Sequence, residues 1–296
     1  MTVKLESKFL KLEAMPEAGG NILSLKARSR RSWVDLFRPA DGPAIAARDP
    51  QGMGCFASIP YVSRITHGEF GFDGRKYIVP PNQPPSPHPL HGYVWRHPGE
   101  VAEESKTRFT ILHRCERDDY PFRFRSWQSW RLSDPRTLEV KLSVENTGER
   151  AMPFGLGLHP FFKKTPGCAL QALVDCIILN DADVRPTAIR PVPPQQSFSS
   201  DFRRLSDLPV DNCFTGWMQN YDIAWPEYDL GLHVTADSTF RFLVVCSPPG
   251  TDWFCVNPVS HYNDALNNPL GIKDTGLKIL QKGETLSGSV WMELRG

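Results

Sequence analysis

From Leu138 to Glu145 the chain alternates strictly, with Leu138, Val140, Leu142 and Val144 set between Glu139, Lys141, Ser143 and Glu145. That period of two puts one apolar and one polar face on an extended segment, so it predicts a half-buried strand. The following Asn146-Thr147-Gly148-Glu149 has turn chemistry, because Asn and Gly tolerate positive φ, and an apolar segment resumes at Met152. Similar short segments recur at Ile22 to Lys26, Phe109 to His113, Leu232 to Thr235, Phe240 to Cys246, Leu277 to Leu280 and Ser289 to Leu294. Sustained spacing of i, i+3, i+4, i+7 is hard to find, and only pieces such as Asp201 to Leu208 suit a turn or two of helix. Many strands without long helices indicate an all-β fold, an antiparallel sandwich or barrel.

The 296 residues suit one large β domain spanning 1–296, with no internal repeat or composition break to divide it. The 27 prolines and 22 glycines supply the turns such a fold needs. Lys plus Arg total 34 against 33 for Asp plus Glu, so there is no net field to draw a polyanion, and nucleic acid is not an expected partner. Arg28, Arg30 and Arg31 form the densest basic cluster and read as a solvated turn between strands. No apolar run approaches the ~20 residues that span a bilayer, and the first 20 residues lack a signal-peptide core. A cytoplasmic protein without a membrane partner is expected. The seven cysteines are scattered, with no CxxC pair, and read as free, mostly buried thiols.

The longest irregular segment runs from Val79 to Pro98 and is rich in proline, which excludes a central strand. It carries His88, His91, His97, Arg96, Tyr93 and Trp95, more chemistry than a linker holds, and is expected to be a surface loop that serves a site. A metal site from His88, His91 and His97 has permissive spacing but no neighbouring cysteine or carboxylate, so no metal is assigned. Gly155-Leu156-Gly157 lacks the third glycine of a dinucleotide loop, and there is no Gly-x-Ser-x-Gly elbow.

Sugar sites combine planar polar groups for hydroxyls with aromatic faces for the ring. Both occur in five clusters: Pro60-Tyr61-Val62-Ser63-Arg64-Ile65, Pro89-Leu90-His91-Gly92, Gly155-Leu156-Gly157-Leu158-His159-Pro160-Phe161-Phe162, Val210-Asp211-Asn212-Cys213-Phe214, and Cys255-Val256-Asn257-Pro258-Val259-Ser260-His261 followed by Asp264-Ala265-Leu266-Asn267. In this order and spacing they resemble the motifs of aldose 1-epimerases (mutarotases) over nearly the whole chain. The SRI element with Gly68 and Phe70 is similar to the family's NRI element, and LHG and LHPFF are similar to its two histidine motifs.

The resemblance implies a large antiparallel β-sandwich of galactose mutarotase type, a supersandwich. It also implies exchange between the α and β anomers of a free aldose, without a cofactor. One group takes the proton of the C1 hydroxyl, another protonates the ring oxygen, and rotation about C1–C2 precedes reclosure. By motif, His159 is the acid on the ring oxygen, His91 hydrogen-bonds beside it, and Arg64 and Asp211 hold hydroxyls. Where the family pattern has its glutamate base, this chain has Asn257, whose amide does not accept that proton at neutral pH. His261, grouped with the substrate-binding residues, is a replacement base on the strength of its neutral form. Asp264 is a weaker one, better suited to ordering a turn. Two readings stay open: a mutarotase with a modified acid/base pair, favoured by the retained His159 and His91, and a catalytically silent sugar-binding protein. The sugar and the oligomeric state are not legible.

Overall fold

A computed structural model describes every residue except Arg31 and Pro209. The alternation of Leu138 to Glu145 lies in a strand, Thr137–Asn146, whose Leu138, Val140, Leu142 and Val144 are all fully buried. Each of the other expected segments also falls on a strand: Asn21–Arg28, Arg108–Cys115, Leu230–Ala236, Phe242–Ser247, Lys278–Leu280 and Thr285–Arg295. Asp201 to Leu208 contains a strand pair, Arg203–Arg204, and one 3-10 turn, Leu205–Asp207. The α-helix Gly42–Ala47 was not expected. Its signal is local, since Asp41 caps it by accepting from the Ala44 amide at 2.7 Å and Pro43 occupies the first turn.

The strands form two large antiparallel sheets. The eleven-stranded sheet runs Val3–Glu6, Leu10–Met15, Asn21–Arg28, Cys55–Ser58, Gly157–Lys163, Trp253–Val259, Phe242–Ser247, Val210–Thr215, Cys176–Asn180 and Pro186–Pro191, with Trp33–Asp35 beside Asn21–Arg28. The nine-stranded sheet is centred on Thr285–Arg295, Thr137–Asn146 and Phe124–Asp134. One apolar core joins them: Leu12, Leu25, Leu158, Phe162, Val245 and Val256 of the first sheet pack with Trp130, Val140, Leu142 and Val290 of the second. This is the large antiparallel β-sandwich expected of the galactose mutarotase type.

Successive side chains of a strand point to opposite faces, so each strand of the first sheet has a second set of residues turned away from that core. On five neighbouring strands this outward set is Phe56 and Ser58, His159 and Phe161, Asn257 and Cys255, Val244 and Cys246, and Asp211. Loops cover this face, and a cavity lies between them and it.

All seven cysteines are free, five of them buried. Arg28 lies over the Trp33 ring and Arg30 pairs with Asp229 at 2.8 Å, on the turn between two strands; Arg31 lies outside the described residues. Among the described residues no helix is long and apolar enough to cross a membrane.

Candidate active site

Hydrogen-bond register brings the site together across chain separations of about a hundred residues. Phe56 pairs with His159, and the pairs Gly157 with Val259 and Phe161 with Cys255 set His159 opposite Asn257. The same row continues from Asn257 to Val244 and Cys213, and the adjacent row runs Phe161, Cys255, Cys246, Asp211. Because the side-chain period is two, a slip of one residue in the Gly157–Lys163 strand would bury His159 in the core and expose Leu158 instead.

These two rows form the floor of a cavity of about 380 Å³, within the ~300–1,000 Å³ usual for small-molecule sites. Its walls come from Val62, Ser63 and Arg64 on one loop and Leu90, His91 and Trp95 on another. A larger depression of about 500 Å³ beside His67, Glu69 and Lys76 shares no residue with this cleft. Its rim is exposed, and Lys76 is already paired with Glu69 at 2.7 Å. The smaller cleft is the one lined by convergent polar groups.

The Val79-to-Pro98 loop reaches the site by folding inward. Leu90 bridges to Arg64 and Gly92 to Ile59, and a 3-10 turn at Val94–Arg96 buries Trp95 completely. His91 and Gly92 are both left-handed, with φ of 54° and 74°. At Gly92 a Cβ would stand 2.2 Å from the Ile59 carbonyl oxygen, so only glycine permits this close approach. The turn aims His91 at the cleft. Its Nδ1 accepts from the Ser63 amide at 3.2 Å, with the Ser58 hydroxyl 3.1 Å away. A ring nitrogen that accepts from a backbone N–H carries no hydrogen, so in neutral His91 the hydrogen is on Nε2. Burial, reinforced by the positive potential of Arg64, holds His91 well below the usual imidazole range.

His159 stacks on Phe56 at 4.4 Å and meets His91 edge-on at 5.0 Å. Burial and the charge of Arg38 push its pKa down to about 3, so it is neutral at pH 7. Its Nδ1 is buried without a hydrogen-bond partner. An orphaned lone pair costs less than an orphaned N–H, so the hydrogen is assigned to Nε2, the nitrogen without such burial. Asn257 is 3% exposed, and its Oδ1 is likewise buried and unpartnered, which leaves the amide NH₂ toward the cavity. The reverse orientation would orphan two donors rather than one acceptor.

Arg64 is half-buried in the cleft wall. Burial lowers its pKa while Asp211 opposes that shift, although the two form no ion pair among the described residues. Asp211 is the one carboxylate among the cleft's lining residues. Three strand spacings separate it from His159, about 14 Å at ~4.8 Å each. At the other end Phe161 and Trp253 pack edge to face at 5.2 Å, and the Arg38 guanidinium lies over Phe161 at 4.2 Å and bonds the Met53 carbonyl at 2.8 Å.

Thus His159, His91, Asn257, Arg64 and Asp211 converge on one cleft, and His261 does not. Its Nε2 accepts from the Val62 amide at 2.9 Å, and its Nδ1–H donates to the Tyr262 carbonyl at 2.8 Å. The Trp253–Val259 strand ends two residues before it, so the alternation that would have continued the cleft row is broken. His261 shapes the Val62 loop instead, and with both nitrogens engaged it is not free to act as a base or to hold a ligand. Asp264 is also committed, accepting from the Thr66 amide at 3.0 Å and the Asn267 side chain at 2.8 Å. His88, His91 and His97 diverge: His88 accepts from the His67 amide, and His97 stacks on Tyr93. Motif reading overlooked Phe56 and Ser58, although their alternation in Cys55-Phe56-Ala57-Ser58 is the signal that places them beside His159.

A profile of the aldose 1-epimerase family matches residues 2–293. The uncharacterized protein YphB of Escherichia coli K12 is 28% identical over 251 residues, covering 81% of this chain and 83% of that protein. A galactose mutarotase-like protein from Clostridium acetobutylicum superposes with a TM-score of 0.87 at 18% identity, over 99% of this chain and 94% of its own. A GalM/aldose epimerase homologue from C. elegans gives 0.84 at 15% identity, over 100% and 98%. With its fold, its ordered motifs and a profile match over almost its full length, the chain belongs to the aldose 1-epimerase family.

Proposed function

We propose that this chain binds the pyranose form of a free sugar in the cleft, and that Asn257 leaves it without fast general-base catalysis, so that anomer exchange is slow. The observation that carries this is the pairing of His159 with Asn257, rather than with a carboxylate, on adjacent strands. Ring opening needs an acceptor for the C1 hydroxyl proton beside the donor to the ring oxygen. His261 and Asp264 are held by structural hydrogen bonds, and Asp211 stands at the far side of the cleft, suited to a distal hydroxyl.

What remains is a binding site with a polarising edge. The Nε2–H groups of His91 and His159 suit a ring oxygen, Arg64 and Asp211 suit hydroxyls, and Phe161 with Trp253 offers an aromatic wall for the apolar side of the ring. Neutral donors stabilise the oxygen on which charge develops, but they do not remove the hydroxyl proton. Calorimetric titration with a panel of free monosaccharides tests the binding. Saturable binding of at least one sugar, weakened tenfold or more by His159→Ala, is expected; no saturable heat with any sugar would contradict it.

A further inference from the structure

Gln51, Ser58 and Ser63 line the cleft and can serve either sense, but the groups gathered around the His159–Asn257 pair are unbalanced toward donors. His91 and His159 each present an Nε2–H, Asn257 presents its NH₂, and Arg64 adds a half-buried guanidinium with no ion-pair partner among the described residues. The one carboxylate among the cleft's lining residues, Asp211, lies across the sheet from His159, and its charge is felt by Arg64 rather than by His159. A neutral sugar hydroxyl both donates and accepts, and is served best by a mixture of donors and acceptors. A carboxylate only accepts, and it is matched by a set of donors with a cation nearby. At the His159–Asn257 pair the floor is therefore shaped for an anion. A glutamate at position 257 would place a second negative charge there and repel such a group, whereas an amide of Asn257's size does not.

We propose that the sugar taken by this cleft is a sugar acid with its carboxylate on the anomeric carbon, a 2-ulosonic acid, the carboxylate facing the Asn257 amide with His159, His91 and Arg64 around it. This rests on the sugar-cleft reading above, which sets the anomeric carbon at the His159–Asn257 pair. It converts the loss of the carboxylate side chain from a defect into selectivity. A ketose acid carries the negative charge on the ligand, where an aldose 1-epimerase with a glutamate carries it on the protein.

The test is calorimetric titration of the full chain with a panel of 2-ulosonic acids, including 3-deoxy-D-manno-octulosonate and N-acetylneuraminate. Their methyl esters, galacturonate and galactose are run alongside. At least one 2-ulosonic acid should bind tenfold or more tighter than its own ester and than galacturonate, whose carboxylate sits at the opposite end of the sugar. Asn257→Asp should cut the acid-to-ester ratio at least tenfold. The ester comparison needs no variant, so it stands even if Asn257→Asp folds poorly. Equal binding of acid and ester, or tighter binding of galacturonate or galactose, overturns the inference and leaves the sugar-cleft reading in place. No binding by any of these sugars or by a wider panel of neutral monosaccharides removes that reading and this inference with it.

Discussion

The eleven-stranded sheet presents two regions made from the same strands. On its inner face Leu158, Phe162, Phe254, Val256, Leu243 and Val245 are buried in apolar contact with the core. One residue along, on the outer face, stand His159, Asn257, Cys255, Val244 and Cys246, and here buried polar atoms are left without partners. Buried polar atoms without partners also occur away from the cleft, at His113, Ser126 and Trp130 on the nine-stranded sheet, so what sets the outer face apart is the cavity that its polar side chains line. The inner face answers for stability and the outer face is the one proposed for recognition, so the two can be perturbed separately.

The largest separation is expected from the inner face. Phe162, fully buried against Phe37, Phe254 and Trp225, should lose about 3–5 kcal/mol of stability on Phe162→Ala, read by denaturant unfolding. A loss below about 1 kcal/mol would show that this face is not the packed one.

A smaller effect is expected from acid. Burial holds His113 near a pKa of about 4, on the core-facing side of the nine-stranded sheet, with both ring nitrogens unpartnered. Above pH 6.5 the imidazole is neutral in both folded and unfolded chains. Below it the unfolded chain takes up a proton that the native state refuses until about pH 4, so stability falls as pH drops through that window. Between pH 7 and pH 5 this amounts to about 2 kcal/mol for one such imidazole, at ~1.4 kcal/mol per pH unit. His113→Leu should remove that share and flatten the pH dependence of unfolding; an unchanged slope would contradict the assignment.

The smallest stability change is expected on the outer face. Asn257→Leu removes an amide whose Oδ1 has no partner, so stability should stay within about 1 kcal/mol of wild type or rise, while sugar binding falls at least tenfold. Thermal melts and calorimetric titration on the same sample would check both, and a large destabilisation with binding intact would reverse the assignment of the two faces.

Much of the packing between the two sheets was legible in the sequence, most plainly on the nine-stranded sheet, because burial on one side writes itself as alternation. Leu138 to Val144 shows it most clearly, and strands such as Arg108–Cys115 and Thr285–Arg295 follow the same pattern. The candidate cleft was legible through motifs, since Arg64, His91, His159, Asp211 and Asn257 stand in recognisable clusters and all line it. What motifs do not carry is neighbourhood. Nothing local pairs Phe56 with His159, which lie 103 residues apart and meet only through strand register. His261 failed for the opposite reason. It continues the odd-numbered series of Cys255, Asn257 and Val259, but its strand stops at Val259, and the turn that follows sends the ring to the Val62 amide. The helix Gly42–Ala47 escaped because it is too short to show periodicity, although its Asp41 cap and Pro43 are ordinary start signals.

On the proposed reading the cleft keeps its sugar-binding groups and lacks a proton acceptor at position 257. The most direct measurement follows the optical rotation of freshly dissolved single anomers, aldoses and 2-ulosonic acids alike, with wild type, Asn257→Glu and Asn257→Glu combined with His159→Ala, each corrected for spontaneous exchange. Little acceleration by wild type is expected, with a gain on the order of 10²-fold for at least one aldose in Asn257→Glu and loss of that gain when His159 is also removed. Wild-type acceleration equal to or greater than that of Asn257→Glu would contradict it, and would mean that a proton acceptor other than residue 257 serves this cleft.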